Sequence, residues 1–315
     1  MSIDVLVTGA GGFIGRVLVR RLLREGLGGQ VLRRLVVADL SLAGLSDDAR
    51  LRYVEGSIAE PGVMARAFAE PVEVVFHLAS APGGACERDP ELSRRVNLDA
   101  TQHLLDRLRQ QGSAPRLVFA STVAVYGDPL PPRVDEDTPA TPVLTYGAHK
   151  LASEILIADA TRRGWVRGLS LRLPGVVARP GDGAGLMSAF MSQLFWRLRA
   201  GEPIVLPVSA DGTAWWISAG ACVDNLMHAA GDTALVGPRG VVQMPAQHLS
   251  IQDVIDGLAH AYGADRRALV RHEPQPLVQR LFASCPPLHT PRARALGYVD
   301  DGSVDRLVSR ATESG

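Results

Sequence analysis

Short apolar runs alternate with helical patterns over the first 180 residues of the chain. The runs are almost continuous in Val, Leu, Ile and Ala, which is typical of parallel strands buried on both faces. Apolar residues at helical spacing separate most of these runs, notably in PELSRRVNLDATQHLLDRLRQQG. Strand–helix alternation of this kind predicts an α/β fold with a doubly wound parallel sheet. The six predicted strands are IDVLVTG, LRRLVVADL, LRYVEG, VEVVFHLAS, PRLVFAST and VRGLSLRLPGVV.

The alternation breaks down after about Pro180. Helical patterns in LMSAFMSQLFWRLRAG, IQDVIDGLAHAYG and PLVQRLFAS are mixed with short predicted strands in PIVLPV, AWWISAG and GVVQMP. This predicts a smaller, mixed α/β C-terminal lobe. We therefore divide the chain into a first domain, residues 1–180, and a second lobe, residues 181–315. The sequence leaves open that parts of the second segment belong to the first domain.

Composition narrows the class of protein. Lys+Arg and Asp+Glu number 33 each, and this zero net charge gives no reason to expect a nucleic-acid partner. No apolar run approaches the length that spans a bilayer, and the N-terminus lacks the pattern of a secretory signal. Three cysteines, Cys86, Cys222 and Cys285, lack the spacing of a disulfide framework or a zinc site. We expect a cytoplasmic protein with no metal and no membrane partner.

A glycine-rich loop lies between the first strand and the first helix. In VTGAGGFIG, Gly9 permits a tight turn, Gly12 allows the backbone to approach a pyrophosphate, and Gly15 allows close packing of helix and strand. Asp39 ends the second strand, where a carboxylate accepts hydrogen bonds from an adenosine ribose and repels a 2′-phosphate. The alternatives are a turn without a ligand and an N-cap aspartate. The combination predicts NAD as the cofactor.

The stretch TYGAHK places Tyr146 and Lys150 four residues apart, on one face of a predicted helix. An ammonium beside a phenol favours the phenolate, which can take a proton from a substrate alcohol. The alternative is a surface helix, because Tyr-x-x-x-Lys also arises by chance. Ser121 and Thr122 end the fifth strand, at the edge where ligands bind in open α/β sheets. A hydroxyl there favours the catalytic interpretation.

The motifs TGAGGFIG, HLAS, VNLDAT, STVAVYG and YGAHK follow one another over about residues 3–180. With them the chain resembles the extended short-chain dehydrogenases/reductases, the NAD-dependent epimerase/dehydratase superfamily, which have a Rossmann fold. The resemblance implies Tyr146 as general acid/base, Lys150 as its electrostatic partner and ribose anchor, and Thr122 as the hydroxyl that polarises the substrate. Asn97 is expected to tie neighbouring strands together through its amide.

The resemblance also implies a set of cofactor contacts. The backbone at Phe13 and Ile14 covers the pyrophosphate, and Pro174 contacts the nicotinamide. Ser57 stands where many relatives have an aspartate, so the side-chain contact to the adenine amine departs from the family pattern. The implied cofactor-binding residues are Gly9, Gly12, Phe13, Ile14, Gly15, Asp39, Ser57, Ile58, Leu78, Ala79, Ser80, Tyr146, Lys150 and Pro174.

Two functions remain open within this family. Pro174 replaces the asparagine that meets a nucleotide-sugar diphosphate, and Val123–Ala124 replace the acid pair of the dehydratases. RLPGVVARPG, YGAHK, CVDNLMHA and TPRARALGY resemble the D-erythronate dehydrogenase branch, which oxidises a four-carbon sugar acid at its 2-hydroxyl with NAD. We therefore expect a dehydrogenase that transfers a hydride between NAD and a secondary alcohol, such as the alcohol of D-erythronate. The alternative is a nucleotide-sugar epimerase with tightly held NAD.

The substrate is expected to be a small molecule, and a sugar acid requires a partner for its carboxylate. Arginine meets two carboxylate oxygens at once, so Arg179 and Arg197 are candidates, although a surface arginine is the alternative for each. The resemblance implies an arginine that here is either replaced by Ala214 or shifted, which leaves open a substrate larger or more apolar than erythronate. The expected substrate contacts are Ser80, Gly84, Thr122, Tyr146, Arg179 and Trp215.

Three further expectations concern side chains and assembly. Trp215 and Trp216 adjoin a strand, so one is expected to point inward and the other to be partly exposed. Cys86 is expected to be a packed thiol and not a nucleophile. Helices around 92–111 and 146–163 are expected to pair in a homodimer, as the resemblance implies.

Overall fold

The structure is a computed structural model that describes residues 2–181, 183, 186–231 and 240–313. The chain folds into two compact units, and each is formed by segments that are distant in sequence. The first unit comprises Met1–Val125, Pro142–Arg172 and Val223–Val242, and the second comprises Tyr126–Thr141, Leu173–Cys222 and Gln243–Gly315.

Strands occur throughout the chain, with the longer ones before residue 175. They are β1 (Ser2–Thr8), β2 (Val31–Asp39), β3 (Leu51–Glu55), β4 (Val74–His77), β5 (Arg116–Thr122), β6 (Val134–Asp135), β7 (Arg167–Leu173), β8 (Gly175–Val177), β9 (Ile204–Leu206), β10 (Thr213–Ser218), β11 (Val241–Gln243), β12 (Gln247–Ser250), β13 (Val270–His272) and β14 (Leu288–His289).

Helices separate most of the strands. They are α1 (Phe13–Glu25), α2 (Pro61–Ala67), α3 (Gly83–Arg88), α4 (Pro90–Ser93), α5 (Ala100–Gln111), α6 (Thr145–Arg162), α7 (Ala189–Ala200), α8 (Ala219–Ala229), α9 (Ile251–Tyr262), α10 (Pro276–Phe282), α11 (Pro291–Ala295) and α12 (Val304–Glu313). A π-helical turn, Arg94–Asp99, joins α4 to α5. None of the described helices is long and apolar enough to cross a bilayer.

A seven-stranded sheet has the order β11-β7-β5-β4-β1-β2-β3. The pairs β1–β2, β2–β3, β1–β4 and β4–β5 are parallel. The chain moves outward from β1 to β3 and then returns to β4 on the other side of β1. This reversal creates a topological switch point at the carboxyl ends of β1 and β4, where ligands bind in open α/β sheets. The predicted doubly wound parallel sheet is confirmed.

The apolar strand residues explain why the sheet is buried on both faces. Val5, Leu6 and Val7 of β1 are fully buried, as are Leu117 and Phe119 of β5. Leucines of α5 and apolar residues of α6 pack against one face of this sheet in a single hydrophobic cluster. Burial of continuous apolar runs is the main source of stability for such a sheet.

The second unit has a small mixed sheet in the order β12-β10-β8. Strand β10 is antiparallel to β12 and parallel to β8. Two further pairs, β9–β13 and β6–β14, are parallel. Residues of α7, α9 and α12 form its hydrophobic core around Trp216. The predicted mixed α/β lobe is confirmed.

Three details differ from the expectations. The run VRGLSLRLPGVV is two strands, β7 and β8, because Pro174 between them has no N–H to continue a ladder. Strand β11 was expected in the smaller lobe but completes the large sheet. Trp215 and Trp216 are both buried, because Trp216 packs in the hydrophobic core and Trp215, on the other face of β10, packs against Tyr126, so the expected exposed tryptophan is absent from this pair.

Candidate active site

The glycine-rich loop follows β1 and turns sharply into α1. Gly9 has φ +74°, in the region that favours glycine, and a Cβ there would lie 2.6 Å from the Ala79 nitrogen. A Cβ on Gly15 would lie 2.0 Å from the Gly9 carbonyl oxygen, so helix and loop touch backbone to backbone. Gly12 donates its N–H to that same oxygen and caps the helix. These contacts match the roles that each glycine has in a phosphate-binding turn.

The start of α1 is suited to an anion. Its first turn contains no acidic residue, and Phe13 and Ile14 there are half-buried. The backbone N–H groups of a helix N-terminus carry partial positive charge. The pyrophosphate of a dinucleotide therefore fits the electrostatics of this end of the helix.

Asp39, at the end of β2, lies beside the glycine loop. Its Oδ2 accepts a hydrogen bond of 2.8 Å from the Gly11 N–H, and its Oδ1 accepts one from Leu40. A Cβ on Gly11 would lie 1.9 Å from the Ser41 carbonyl oxygen. Gly11 was absent from the predicted site although it is visible as the middle glycine of VTGAGGFIG. It is the residue that joins the loop to Asp39, the acid predicted to bind the ribose.

Residues after β3 and β4 line the same edge of the sheet. Ser57 is half-buried and its Oγ accepts from the Ala59 N–H, whereas Ile58 is buried in the core beneath. The Leu78 N–H donates to the carbonyl oxygen of Thr8. Leu78, Ala79 and Ser80 are half-buried and follow β4 directly at the switch point. The structure therefore brings these residues to the edge that was predicted for the cofactor.

Asn97, within the π-helical turn, fixes the loop after β4. Its Oδ1 accepts from the Ala81 N–H and its Nδ2 donates to the Ala81 carbonyl oxygen. The expected tie between strands is thus a tie between a helical turn and a loop. The Cys86 thiol donates to the same carbonyl and is fully buried, and burial raises its pKa. The expectation of a packed thiol is confirmed, and the segment with Gly84 is the short helix α3.

Tyr146 and Lys150 lie one turn apart on α6. The Lys150 Nζ is 5.8 Å from the centroid of the Tyr146 ring and 4.5 Å from that of Phe119. It donates a hydrogen bond of 2.8 Å to the carbonyl oxygen of Ala120 in β5. Gly83 lies against the tyrosine, where a Cβ would be 3.8 Å from the Tyr146 Cβ. The lysine is therefore anchored to the sheet while the tyrosine remains half-buried.

Lys150 is also unusual within the whole chain. It is the only lysine in the sequence, so all the other basic residues among the 33 Lys and Arg are arginines. It is 1% exposed, and burial lowers its pKa to about 7. The Cys86 thiol and the Glu154 carboxylate oppose that shift. Because the sequence contains one lysine, composition alone could have singled out Lys150. The motif-based prediction did not use this signal.

The hydroxyls at the end of β5 have different partners. The Thr122 Oγ1 is half-buried and accepts from the Ala124 N–H at 3.1 Å. The Ser121 hydroxyl is buried and donates to Glu154. Ser121 is thus committed to a carboxylate inside the fold, which leaves Thr122 as the hydroxyl nearer to solvent.

The remaining predicted residues lie in the second unit. Pro174 is buried between β7 and β8, and Arg179 is exposed with its backbone held by Ser192 and Trp196. Arg197 is paired with Glu202 on the surface. Trp215 is 4% exposed and donates from Nε1 to the Pro286 carbonyl oxygen.

Tyr126 was not predicted as a site residue. Its ring is edge-on to Trp215 with centroids 6.4 Å apart, and its hydroxyl donates to Gln243. Tyr126 could have been considered from the sequence, because it is the tyrosine of the motif STVAVYG.

Comparisons with known proteins agree with this geometry. Residues 5–233 match the model of the NAD dependent epimerase/dehydratase family. A D-erythronate dehydrogenase from Cupriavidus necator is 36% identical over 314 residues, covering 97% of this chain and 96% of that protein. A D-erythronate dehydrogenase from Haemophilus influenzae is 28% identical and covers 98% of both chains. The solved structure of a nucleoside-diphosphate-sugar epimerase from Agrobacterium tumefaciens is 32% identical, with a TM-score of 0.89 and coverage of 98% of this chain and 93% of that one.

The fold, the dinucleotide loop and the Tyr146–Lys150 pair define an NAD-dependent oxidoreductase of the extended short-chain dehydrogenase type. The chain belongs to the NAD dependent epimerase/dehydratase family. The resemblance drawn from the motifs is therefore confirmed, as is NAD as the cofactor.

Proposed function

We propose that the protein oxidises the 2-hydroxyl of a small sugar acid, with D-erythronate as the leading substrate. The observation that carries this is the anchored Lys150 one helical turn from Tyr146, at the carboxyl edge of the sheet. Two relatives that align over nearly the whole chain are named D-erythronate dehydrogenases, which supports this choice among the family's substrates.

Tyr146 acts as the general base in this proposal. Its phenolate takes the hydroxyl proton while the hydrogen on the same carbon leaves as hydride, so the alcohol becomes a ketone. When bound, NAD supplies the hydride acceptor. The charged Lys150 stabilises the phenolate, and the Thr122 hydroxyl donates to the substrate oxygen. The remaining assigned cofactor residues bind and orient NAD.

The substrate contacts are also proposals. The first unit is proposed to supply contacts from Ser80, Gly84 and Thr122. The second unit is proposed to supply contacts from Arg179 and Trp215. Arg179 is proposed as the carboxylate partner because it lies in an exposed segment directly after β8. Arg179→Ala is expected to raise KM for the acid with little change in KM for NAD. The opposite split would remove Arg179 from the substrate site.

The first test is an assay of NADH at 340 nm. D-Erythronate is compared with its stereoisomers and with five- and six-carbon sugar acids, and Tyr146→Phe serves as the catalytically silent control. Net NADH from one acid, absent in the control, supports the proposal. Absence of NADH with every acid overturns it.

The alternative, nucleotide-sugar epimerisation, is favoured by the name of the Agrobacterium relative. An epimerase returns the hydride to its own substrate, so it forms no net NADH. Isomer ratios of nucleotide sugars, measured after incubation with the protein as purified, separate the two functions. A changed ratio together with no net NADH would establish the epimerase.

We further propose a cytoplasmic homodimer in which residues 1–180 bind NAD and 181–315 bind the substrate. Ile155 on α6 is 64% exposed, which supports pairing through this helix. The three cysteines form no disulfide with one another, and two of them are buried, which suits a reducing compartment. Light scattering is expected to give the mass of a dimer for the native protein and of a monomer for Ile155→Asp. Cell fractionation tests the compartment, and NAD binding by a 1–180 fragment tests the division of roles.

A further inference from the structure

Glu154 is a buried carboxylate on the same helix as the catalytic pair. It is 3% exposed, and it follows Lys150 by four residues, so the two side chains share one face of α6. Arg172 of β7 donates to both of its oxygens from one edge of the guanidinium, with Nε 3.0 Å from Oε1 and the terminal nitrogen 2.8 Å from Oε2. This fork fixes the carboxylate in one orientation.

Strand β5 binds α6 through successive residues. The Ala120 carbonyl accepts from Lys150, and the Ser121 hydroxyl donates to Glu154. Thr122, the assigned polarising hydroxyl, is the next residue along the strand. The carboxylate is therefore bonded to Ser121, the residue that lies between Ala120, which anchors Lys150, and Thr122.

Few groups near Lys150 can stabilise the positive charge of its amine. It is 1% exposed, and burial lowers its pKa to about 7, whereas negative charge at Cys86 or Glu154 would oppose that shift. Burial raises the pKa of Cys86, so this thiol is protonated and uncharged at neutral pH. His77 is also buried, and burial together with Lys150 lowers its pKa to about 3, so it is neutral as well. The titratable and charged groups around the amine and its carboxylate are Tyr146, Glu154, Cys86, His77 and Arg172.

We propose that Glu154 is a positioning residue whose carboxylate, held by Arg172 and Ser121, keeps the Lys150 amine charged beneath Tyr146. Its catalytic consequence rests on the proposed function, because only a dehydrogenase needs a charged lysine beside a tyrosine base. A purely structural ion pair between α6 and β7 would leave the charge of Lys150 unaffected. The two roles therefore differ in one measurable quantity, the protonation of a single amine.

The sequence makes that quantity directly observable. Since Lys150 is the only lysine, protein labelled with ¹³C,¹⁵N-lysine gives one side-chain signal in NMR. Its titration is recorded in the cofactor-free protein for the native chain, Glu154→Gln and Ser121→Ala. The serine variant removes one bond to the carboxylate and leaves its charge, so it is the matched control.

Glu154→Gln is expected to lower the titration midpoint of Lys150 by about 1 pH unit or more, because a close opposite charge shifts a pKa by about 1–3 units. Ser121→Ala is expected to move it much less. An unchanged midpoint in Glu154→Gln overturns the proposal. If Glu154→Gln does not fold, Glu154→Asp replaces it, with an expected midpoint between those of a charge-free site and the native protein. A midpoint at or above the native value in Glu154→Asp also overturns the proposal.

Activity gives a second readout. Oxidation needs the charged lysine, so its rate falls as pH rises through the Lys150 pKa. In Glu154→Gln this alkaline fall is expected at lower pH, whereas a merely structural loss lowers the rate equally at every pH. If D-erythronate is not turned over but the lysine midpoint still moves, the proposed function fails and the role of Glu154 stands.

Discussion

The two ends of the ligand-binding edge use different chemistry. At the cofactor loop, backbone groups make most of the contacts: Gly9, Gly11 and Gly15 leave no room for a Cβ, and the charged side chains Asp39 and Arg16 both bond the backbone of Gly11. At the catalytic end, β5 and α6 enclose charged and hydroxyl side chains that are almost wholly buried. The first region is specified by the absence of side chains and the second by their mutual pairing. Substitutions at the loop are therefore expected to act by steric overlap. Substitutions at the catalytic end are expected to act by a change of charge.

The largest effect is expected at the catalytic end. Tyr146→Phe removes the proton acceptor and leaves the ring in place, so kcat is expected to fall by about 10²- to 10⁴-fold. The dissociation constant for NAD, measured by calorimetry, is expected to change little because the cofactor loop is intact. A variant that loses NAD binding and activity together would place Tyr146 in the cofactor site only.

His77 lies between the two regions. Its ring bonds Thr8 of β1 on one side and Thr101 of α5 on the other, and burial lowers its pKa to about 3. Between that value and about 6.5 the unfolded chain binds one more proton than the folded chain, so stability falls as pH falls through this window. The contribution is about 1.4 kcal/mol per pH unit.

The pH dependence of His77 is tested by urea unfolding between pH 4 and pH 6.5. The variant His77→Asn is expected to be less stable at pH 7. Its free energy of unfolding is expected to fall less steeply as the pH falls, because the variant lacks the proton that His77 takes up on unfolding. Parallel slopes in the native protein and the variant would show that this histidine does not control the acid sensitivity.

A steric effect is expected at the cofactor loop. Gly9→Ala introduces a Cβ 2.6 Å from the Ala79 nitrogen at φ +74°. Gly112→Ala is the matched control, with the same φ but no heavy atom within 4 Å of the new Cβ. Both carry the cost of a left-handed residue, and Gly9→Ala is expected to lose a further 1–3 kcal/mol or so of unfolding free energy from the overlap. Equal losses would mean that the loop can relax away from Ala79.

The smallest effect is expected at the acid of the cofactor loop. Asp39→Asn keeps the size of the side chain but removes a charged acceptor, which is worth about 1.5–3 kcal/mol in a hydrogen bond. NAD affinity is expected to fall about 10- to 100-fold, with a smaller effect on NADP. Asp48→Asn, whose carboxylate pairs with Arg50, serves as the control and is expected to leave NAD affinity unchanged. Equal losses for both cofactors would contradict ribose recognition by Asp39.

The contrast also explains what the sequence could predict. Backbone demands need glycine at fixed spacing, so Gly9, Gly12 and Gly15 could be recognised from their order after an apolar run. Tyr146 and Lys150 were visible because one helix holds both. Ser121, Glu154 and Arg172 come from three separate elements, and their pairing depends on how β5, α6 and β7 adjoin. Common residues in unremarkable positions give no local signal of such a cluster.

The end of a predicted strand was similarly beyond local reasoning. The apolar run from Val166 to Val177 contains only one residue that breaks a ladder, Pro174, and the chain uses it to pass from one sheet to another. The two segments differ in their pairing partners. Strand β7 pairs with β5 and β11, whereas β8 pairs with β10.

The absence of any second lysine has a consequence for covalent chemistry. Amine-directed reagents such as aldehydes, isocyanates and activated esters find one lysine side chain in this protein, and that chain is enclosed beside the nucleotide edge. Arginine does not react with them, because its guanidinium stays protonated. Carbamylation or reductive alkylation of a lysine would therefore mark a single site. Its rate would report how often the catalytic end of the sheet opens to solvent, and bound dinucleotide would be expected to slow it.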